Sequence, residues 1–154
     1  MTNVFLASAF GWVRFVKFLR RPAVDQRYLL AAIALHCLVN CVRLLMPRGP
    51  VWRRLVSGIR PWGVAPAESN VQTRVLWAIK TTTTLFPSGR NCLVEAVTAH
   101  WLFALAGCRS VVRIGVAPAK PVPQAHAWLE CGGRTVLGGT AGIVYEPLGW
   151  RGRS

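Results

Sequence analysis

Three observations predict an α+β fold in which helices come first and an antiparallel sheet follows. Apolar residues recur at steps of three and four through most of the first hundred residues. From Val111 onward the hydrophobic period drops to two. Gly132-Gly133 then separates two alternating runs, as a two-residue hairpin turn does. A chain of 154 residues suits one domain, which buries roughly 70% of its unfolded surface without needing a disulfide or metal staple. The expected division is a helical N-terminal region, residues 1–66, packed on a core formed by residues 71–154, the whole being one compact domain.

In chain order, residues 11–21 read as a short amphipathic helix. Trp12, Phe15, Val16 and Leu19 make its apolar stripe, and Arg14, Lys17, Arg20 and Arg21 its basic one. Packing on its own domain is the plain reading of that stripe, and an anionic membrane or partner protein is the alternative. Tyr28 to Met46 is apolar enough to suggest a membrane span, but His36, Asn40 and Arg43 interrupt it. Charge at bilayer depth costs a few kcal/mol, so a buried helix of a globular protein is expected. There His36 and Asn40, one turn apart, should satisfy one another or the backbone. Arg48 to Pro66 is a proline- and glycine-rich connector with room for one short helix from Val51 to Ser57. Val71 to Thr84 is helical by pattern, although Thr81 to Thr84 prefers extended or capping geometry.

Asn91 to Cys108 forms the central helix. Asn91 is placed as N-cap and Gly107 as a left-handed C-terminal stop. Leu93, Ala96, Val97, Trp101, Ala104 and Leu105 are expected on its core-facing stripe. Strands are expected over Val111–Val116, Ala125–Cys131 and Arg134–Leu137, with a further one at Ile143–Tyr145.

Nineteen Lys and Arg against five Asp and Glu give a net charge of +14, which attracts acidic proteins, anionic membranes or nucleic acid and says nothing of fold. No RNP-type sequence, zinc-finger spacing or helix-turn-helix signature is present, so no nucleic acid is expected. The five cysteines are odd in number and form no C-x-x-C pair. Neither a disulfide framework nor a zinc site is suggested, and a reducing, cytoplasmic setting fits. The N-terminus is apolar first and basic afterwards, the reverse of a secretory signal. Peripheral membrane contact through residues 11–21 is the one qualification. No cofactor and no metal are expected.

The chemistry concentrates on two residues. Cys92 occupies the first turn of the central helix, where unpaired N–H groups and the positive end of the helix dipole favour thiolate, the nucleophilic form. His126 lies on the second strand, in Ala125-His126-Ala127-Trp128-Leu129-Glu130, sharing a face with Trp128 and Glu130. A strand histidine facing a helix-start cysteine is the layout of papain-like thiol enzymes, in which the imidazole takes the thiol proton and later returns it. A third group should orient the ring. Glu130 is roughly 13 Å along the strand, out of hydrogen-bond reach. Counting outward from the Gly132-Gly133 turn sets His126 opposite Gly139, with Gly138 and Thr140 beside it. Thr140, a backbone carbonyl or a distant acid is left for the task. Asn91, Trp128, Glu130 and Thr140 are the candidate supporting residues.

The combination of Cys92-Leu93 with Ala96, Arg113-Ile114-Gly115-Val116, Ala125 to Glu130 and Gly133-Arg134 resembles the leader peptidases of lasso-peptide biosynthesis. Those enzymes belong to the transglutaminase-like, papain-fold superfamily. The resemblance covers about Asn91 to Leu148. It implies a transglutaminase-like core behind apolar helices, and a cysteine endopeptidase that removes the leader from a ribosomally made precursor. Cys92 would be the nucleophile and His126 the general base. It further implies two partners, a separate leader-recognition protein and an asparagine-synthetase-like, ATP-dependent cyclase that receives the core peptide. The family's triad aspartate falls near Gly138-Gly139, where this chain has no acid. Two other readings stand beside this one: the same fold transferring an acyl group to an amine, and a non-enzymatic basic adaptor for membranes or partners.

Overall fold

The computed structural model describes residues 20–46, 65–66, 69–86, 91–117, 123–139 and 145–147. The expected helix over 51–57, Thr140, and most of the expected helix at 11–21 and of the expected strand at 143–145 lie outside the described residues. The fold is α+β. Its described elements are the helices α1 (Ala23–Leu45), α2 (Ser69–Leu85) and α3 (Cys92–Leu105), and the strands β1 (Ala65–Pro66), β2 (Cys108–Arg109), β3 (Val111–Ala117), β4 (Gln124–Cys131), β5 (Arg134–Leu137) and β6 (Glu146–Pro147).

Helix α1 begins directly after Pro22 (φ −52°), a residue whose fixed φ and missing N–H suit the threshold of a helix. Its first-turn Asp25 is buried and reaches Arg21 at 3.8 Å and, across to α2, Arg74 at 3.4 Å. The Arg21 guanidinium also lies over the Trp77 ring, 4.8 Å from its centroid. These contacts tie the starts of α1 and α2 together. Asn40 donates to the His36 backbone carbonyl at 3.2 Å, one of the two outcomes expected for it. The His36 ring does not share in that bond. Both its nitrogens are buried and have no partner among the described residues, and the ring lies against Phe86 instead.

The threonine run at the end of α2 is helical throughout, contrary to its propensity. Thr81 and Thr82 turn their hydroxyls back on the carbonyls of Trp77 and Ala78 at 2.8 and 2.9 Å, and Thr83 and Thr84 both bond Lys80 O. The hydroxyls thus find partners inside the helix rather than competing with it. Packing decides the rest, since Val75, Ala78, Ile79 and Thr82 are fully buried.

Helix α3 is the central element and packs on α1, α2 and β4. The expected single stripe is too narrow. Val94, Ala96, Val97, Thr98, Ala99, His100, Leu102 and Phe103 are all buried, whereas Leu105 is 71% exposed and Leu93, Trp101 and Ala104 are half-buried. A helix enclosed on most sides has little polar face to define a stripe. Its buried polar groups are satisfied locally: Thr98 bonds Val94 O at 2.7 Å, and His100 Nδ1 pairs with Ser110 Oγ at 2.9 Å.

The main sheet is antiparallel with order β5-β4-β3-β6, and the short β1 pairs in parallel with β2. Leu129 and Cys131 of β4 join Ala99, Leu102 and Phe103 of α3, together with Ala32, Val75, Ala78 and Ile79, in one core. Gly132 and Gly133 (φ 57° and 76°) make the expected two-residue turn, with both φ values positive as type I′ requires. The register counted from that turn holds only for Cys131↔Arg134 and Glu130↔Thr135. It then shifts, Leu129 pairing with Leu137. A one-residue bulge at Val136 therefore displaces every partner expected further along, including the pairing of His126 with Gly139.

Candidate active site

Cys92 is the first residue of α3 and is half-buried. Asn91 holds the extended conformation of an N-cap (φ −140°, ψ 120°), and its Oδ1 accepts from Leu93 N at 3.0 Å. The Asn91 carbonyl accepts from Glu95 N at 2.9 Å. The cap fixes where the cysteine enters the helix while leaving the Cys92 N–H outside the helix's own bonding. Cys92, Ala99 and Phe103 fall at i, i+7 and i+11, on the side of α3 that carries the sheet contacts.

His126 is half-buried near the start of β4. Its Nε2 donates to the carbonyl of Gly138 at 2.7 Å. A carbonyl only accepts, so Nε2 carries the proton, and in the neutral ring Nδ1 keeps its lone pair. The backbone carbonyl is thus the orienting partner, one of the three groups left open by the sequence. Gly138 is required for the approach. Its φ is +77°, and a Cβ would stand 2.9 Å from Ala127 O and 3.2 Å from Trp128 Cα.

Two aromatic rings flank the imidazole. Trp128 stacks at 6.4 Å between centroids and 15° between planes, and Tyr145 lies closer, at 5.1 Å. Gly115 makes room for them: a Cβ there would be 2.9 Å from both Trp128 and Tyr145. Trp128 Nε1 donates to Glu130 at 3.0 Å, and Arg113 donates to the other carboxylate oxygen at 3.1 Å. The Trp128 hydrogen bond, then Arg113, holds the Glu130 carboxyl below its usual pKa. Glu130 is therefore a fixed anion that orients Trp128 and does not touch His126.

Tyr145 is the site residue that the sequence reading missed. The signal was Gly115, a glycine inside a strand rich in β-branched residues, which marks a close approach. Among the described residues no hydrogen bond joins Cys92 to His126. Alternation sets Ala127, Leu129 and Cys131 of β4 toward the helices and His126, Trp128 and Glu130 on the other face. Topology nonetheless brings the two elements into line. The chain reverses at Gly107 (φ 72°) between α3 and β3, and β4 is antiparallel to β3. β4 thus runs in the same sense as α3, and Cys92 and His126 both stand near the starts of their elements. Cys131 is excluded from nucleophilic work, because burial, with Cys108 beside it, pushes its thiol up to about 11. Among the described residues no group of three His, Cys, Asp or Glu side chains is placed to hold a metal ion.

A capped helix opening on a cysteine, packed on an antiparallel sheet that carries an oriented histidine, fits a cysteine-protease-type fold. The model of the transglutaminase-like superfamily matches residues 34–147, which takes in the second half of α1, the other two helices and the whole sheet. The chain belongs to that superfamily, which contains cysteine peptidases and acyltransferases. No curated protein and no solved structure gives a significant match.

Proposed function

We propose that the protein is a cysteine endopeptidase that removes the leader from a ribosomally synthesised lasso-peptide precursor. The observation that carries the catalytic part is the 2.7 Å bond from His126 Nε2 to Gly138 O. It leaves Nδ1 as the ring's free base. In this reading the Cys92 thiol gives its proton to Nδ1, and Sγ attacks the scissile carbonyl carbon. The oxyanion is met by the Cys92 N–H at the start of α3. As the intermediate collapses, Nδ1–H protonates the leaving amine, and the N-terminal portion stays on Sγ as a thioester. Water, deprotonated by the same Nδ1, then hydrolyses that ester and regenerates the thiol. The reaction requires Sγ and Nδ1 to come within hydrogen-bond reach in the substrate complex, where such contacts commonly tighten. The choice of substrate follows from the resemblance of the Cys92, Arg113–Val116 and Ala125–Glu130 motifs. It brings with it a separate leader-recognition protein and a cyclase as partners.

The test is mass spectrometry of a precursor incubated with the protein and its recognition partner. Wild type is expected to release leader and core with masses that add to precursor plus one water. Cys92→Ala and His126→Ala are each expected to abolish cleavage with an unchanged circular-dichroism spectrum. Full cleavage by Cys92→Ala ends the proposal. A product carrying an added amine in place of water reassigns the acyl acceptor and makes the protein a transferase.

A further inference from the structure

Helix α1 has two apolar faces, and the fold uses one. Leu29, Ala32, His36 and Val39 are buried against α2 and α3. On the opposite side Leu30, Ala34, Cys37, Leu38, Cys41, Leu44 and Leu45 follow one another at steps of three and four, all exposed. Leu30 is 59% exposed, Leu38 54%, Leu44 66% and Leu45 79%. Large apolar side chains scattered singly need no explanation, but a continuous stripe over four turns marks a binding surface.

The charge around the stripe says what binds. The acid of α1, Asp25, is buried between Arg21 and Arg74, so the exposed surface of the helix carries no negative charge. Arg27 continues the stripe one turn before Leu30, and Arg20 precedes it, both exposed. The chain as a whole carries +14. An apolar stripe bordered by cations and free of anions matches an anionic lipid surface, with leucines in the acyl boundary and arginines at the phosphates. Helix α1 is long and apolar enough to cross a membrane by length and composition, but its other face is packed on the domain. Asp25 pairs with Arg74 of α2 and the His36 ring lies against Phe86, and the helix would have to leave α2 and α3 to cross a bilayer.

We infer that the outward face of α1, from Leu30 to Leu45, docks the protein in the plane of an anionic membrane, with the domain held on the aqueous side. The full chain is tested by co-sedimentation with vesicles of phosphatidylcholine alone or mixed with phosphatidylglycerol. Binding is expected only to the mixed vesicles and is expected to weaken with salt. Leu38→Glu with Leu45→Glu is expected to weaken binding at least tenfold. Leu105→Glu, at an equally exposed leucine on α3, is expected to leave it unchanged. A water-soluble maleimide supplies a readout on the native chain: Cys37 and Cys41 are exposed, and mixed vesicles are expected to protect both from modification. No binding to the mixed vesicles, equal loss in the Leu105 variant, or Cys37 and Cys41 labelled as fast with vesicles as without, overturns the inference. So does a soluble dimer whose formation protects the same cysteines without lipid, because the stripe then belongs to a second copy. None of these readouts depends on peptidase activity.

Discussion

The two ends of the β4–β5 hairpin obey different rules. At the closed end, Cys131 pairs with Arg134 around two positive-φ glycines, as local turn chemistry dictates. At the open end the ladder slips by one residue, and a third positive-φ glycine, Gly138, turns its carbonyl onto His126. The regular end serves the fold, while the irregular end delivers a hydrogen-bond acceptor to an imidazole. A bulge re-aims backbone without adding a side chain.

Substituting the glycines should separate those two roles. Gly138→Ala places a Cβ 2.9 Å from Ala127 O at φ +77°, so the backbone has to move and the carbonyl moves with it. The expected result is a cleavage rate down on the order of a hundredfold, the scale of a lost general-base geometry, with a stability loss of about 2 kcal/mol. Gly133→Ala at φ +76° meets open space. Only the conformational cost remains, about 1 kcal/mol, and the cleavage rate should not change. Equal activity losses in the two variants would deny the open end its special role.

A second contrast is between histidines. His126 is half-buried and bonded to a carbonyl, whereas His100 lies 3% exposed inside α3, paired with Ser110. Burial holds His100 neutral down to about 4, against 6.5 in an unfolded chain. Below pH 6.5 the unfolded state binds a proton that the folded state refuses. Stability is therefore fully present above that pH and falls as pH drops toward 4, by about 3 kcal/mol. His36, lowered by burial in the same direction, adds to the fall. Denaturant melts between pH 4 and 7 should show this slope, and His100→Asn, which keeps a polar partner for Ser110, should flatten it.

How much of this was legible in the sequence follows from the range over which each feature is determined. The Asn91 cap, the Gly107 stop, the Gly132-Gly133 turn and the change of period are set by a few neighbouring residues, and each stands where expected. The bulge at Val136 is not local. It answers to packing of Val136 and Leu137 against the common core, so a register counted outward from the turn holds only as far as Glu130 and Thr135. Tyr145 reaches the imidazole through the pairing of β6 with β3, a contact between distant segments. The threonine run failed as a propensity argument because intrahelical hydroxyl bonds and the burial of Thr82 outweigh a few tenths of a kcal/mol per residue.

The smallest effect tests how far the site extends along β4. Glu130 accepts from Trp128 and from Arg113, whose side chain is 51% exposed. An ion pair so open to water contributes about 0.5 kcal/mol, so Arg113→Ala should barely change the melting temperature. Glu130→Gln keeps an oxygen to accept from Trp128 Nε1 and removes the charge, and it should cost no more. If Glu130 acts only by holding the Trp128 ring beside His126, Trp128→Phe should lower cleavage a few-fold while Glu130→Gln leaves it nearly intact. A large activity loss in Glu130→Gln with Trp128→Phe unaffected would mean that the carboxylate meets the substrate directly. The site would then run along the strand face to Glu130 rather than ending at Trp128.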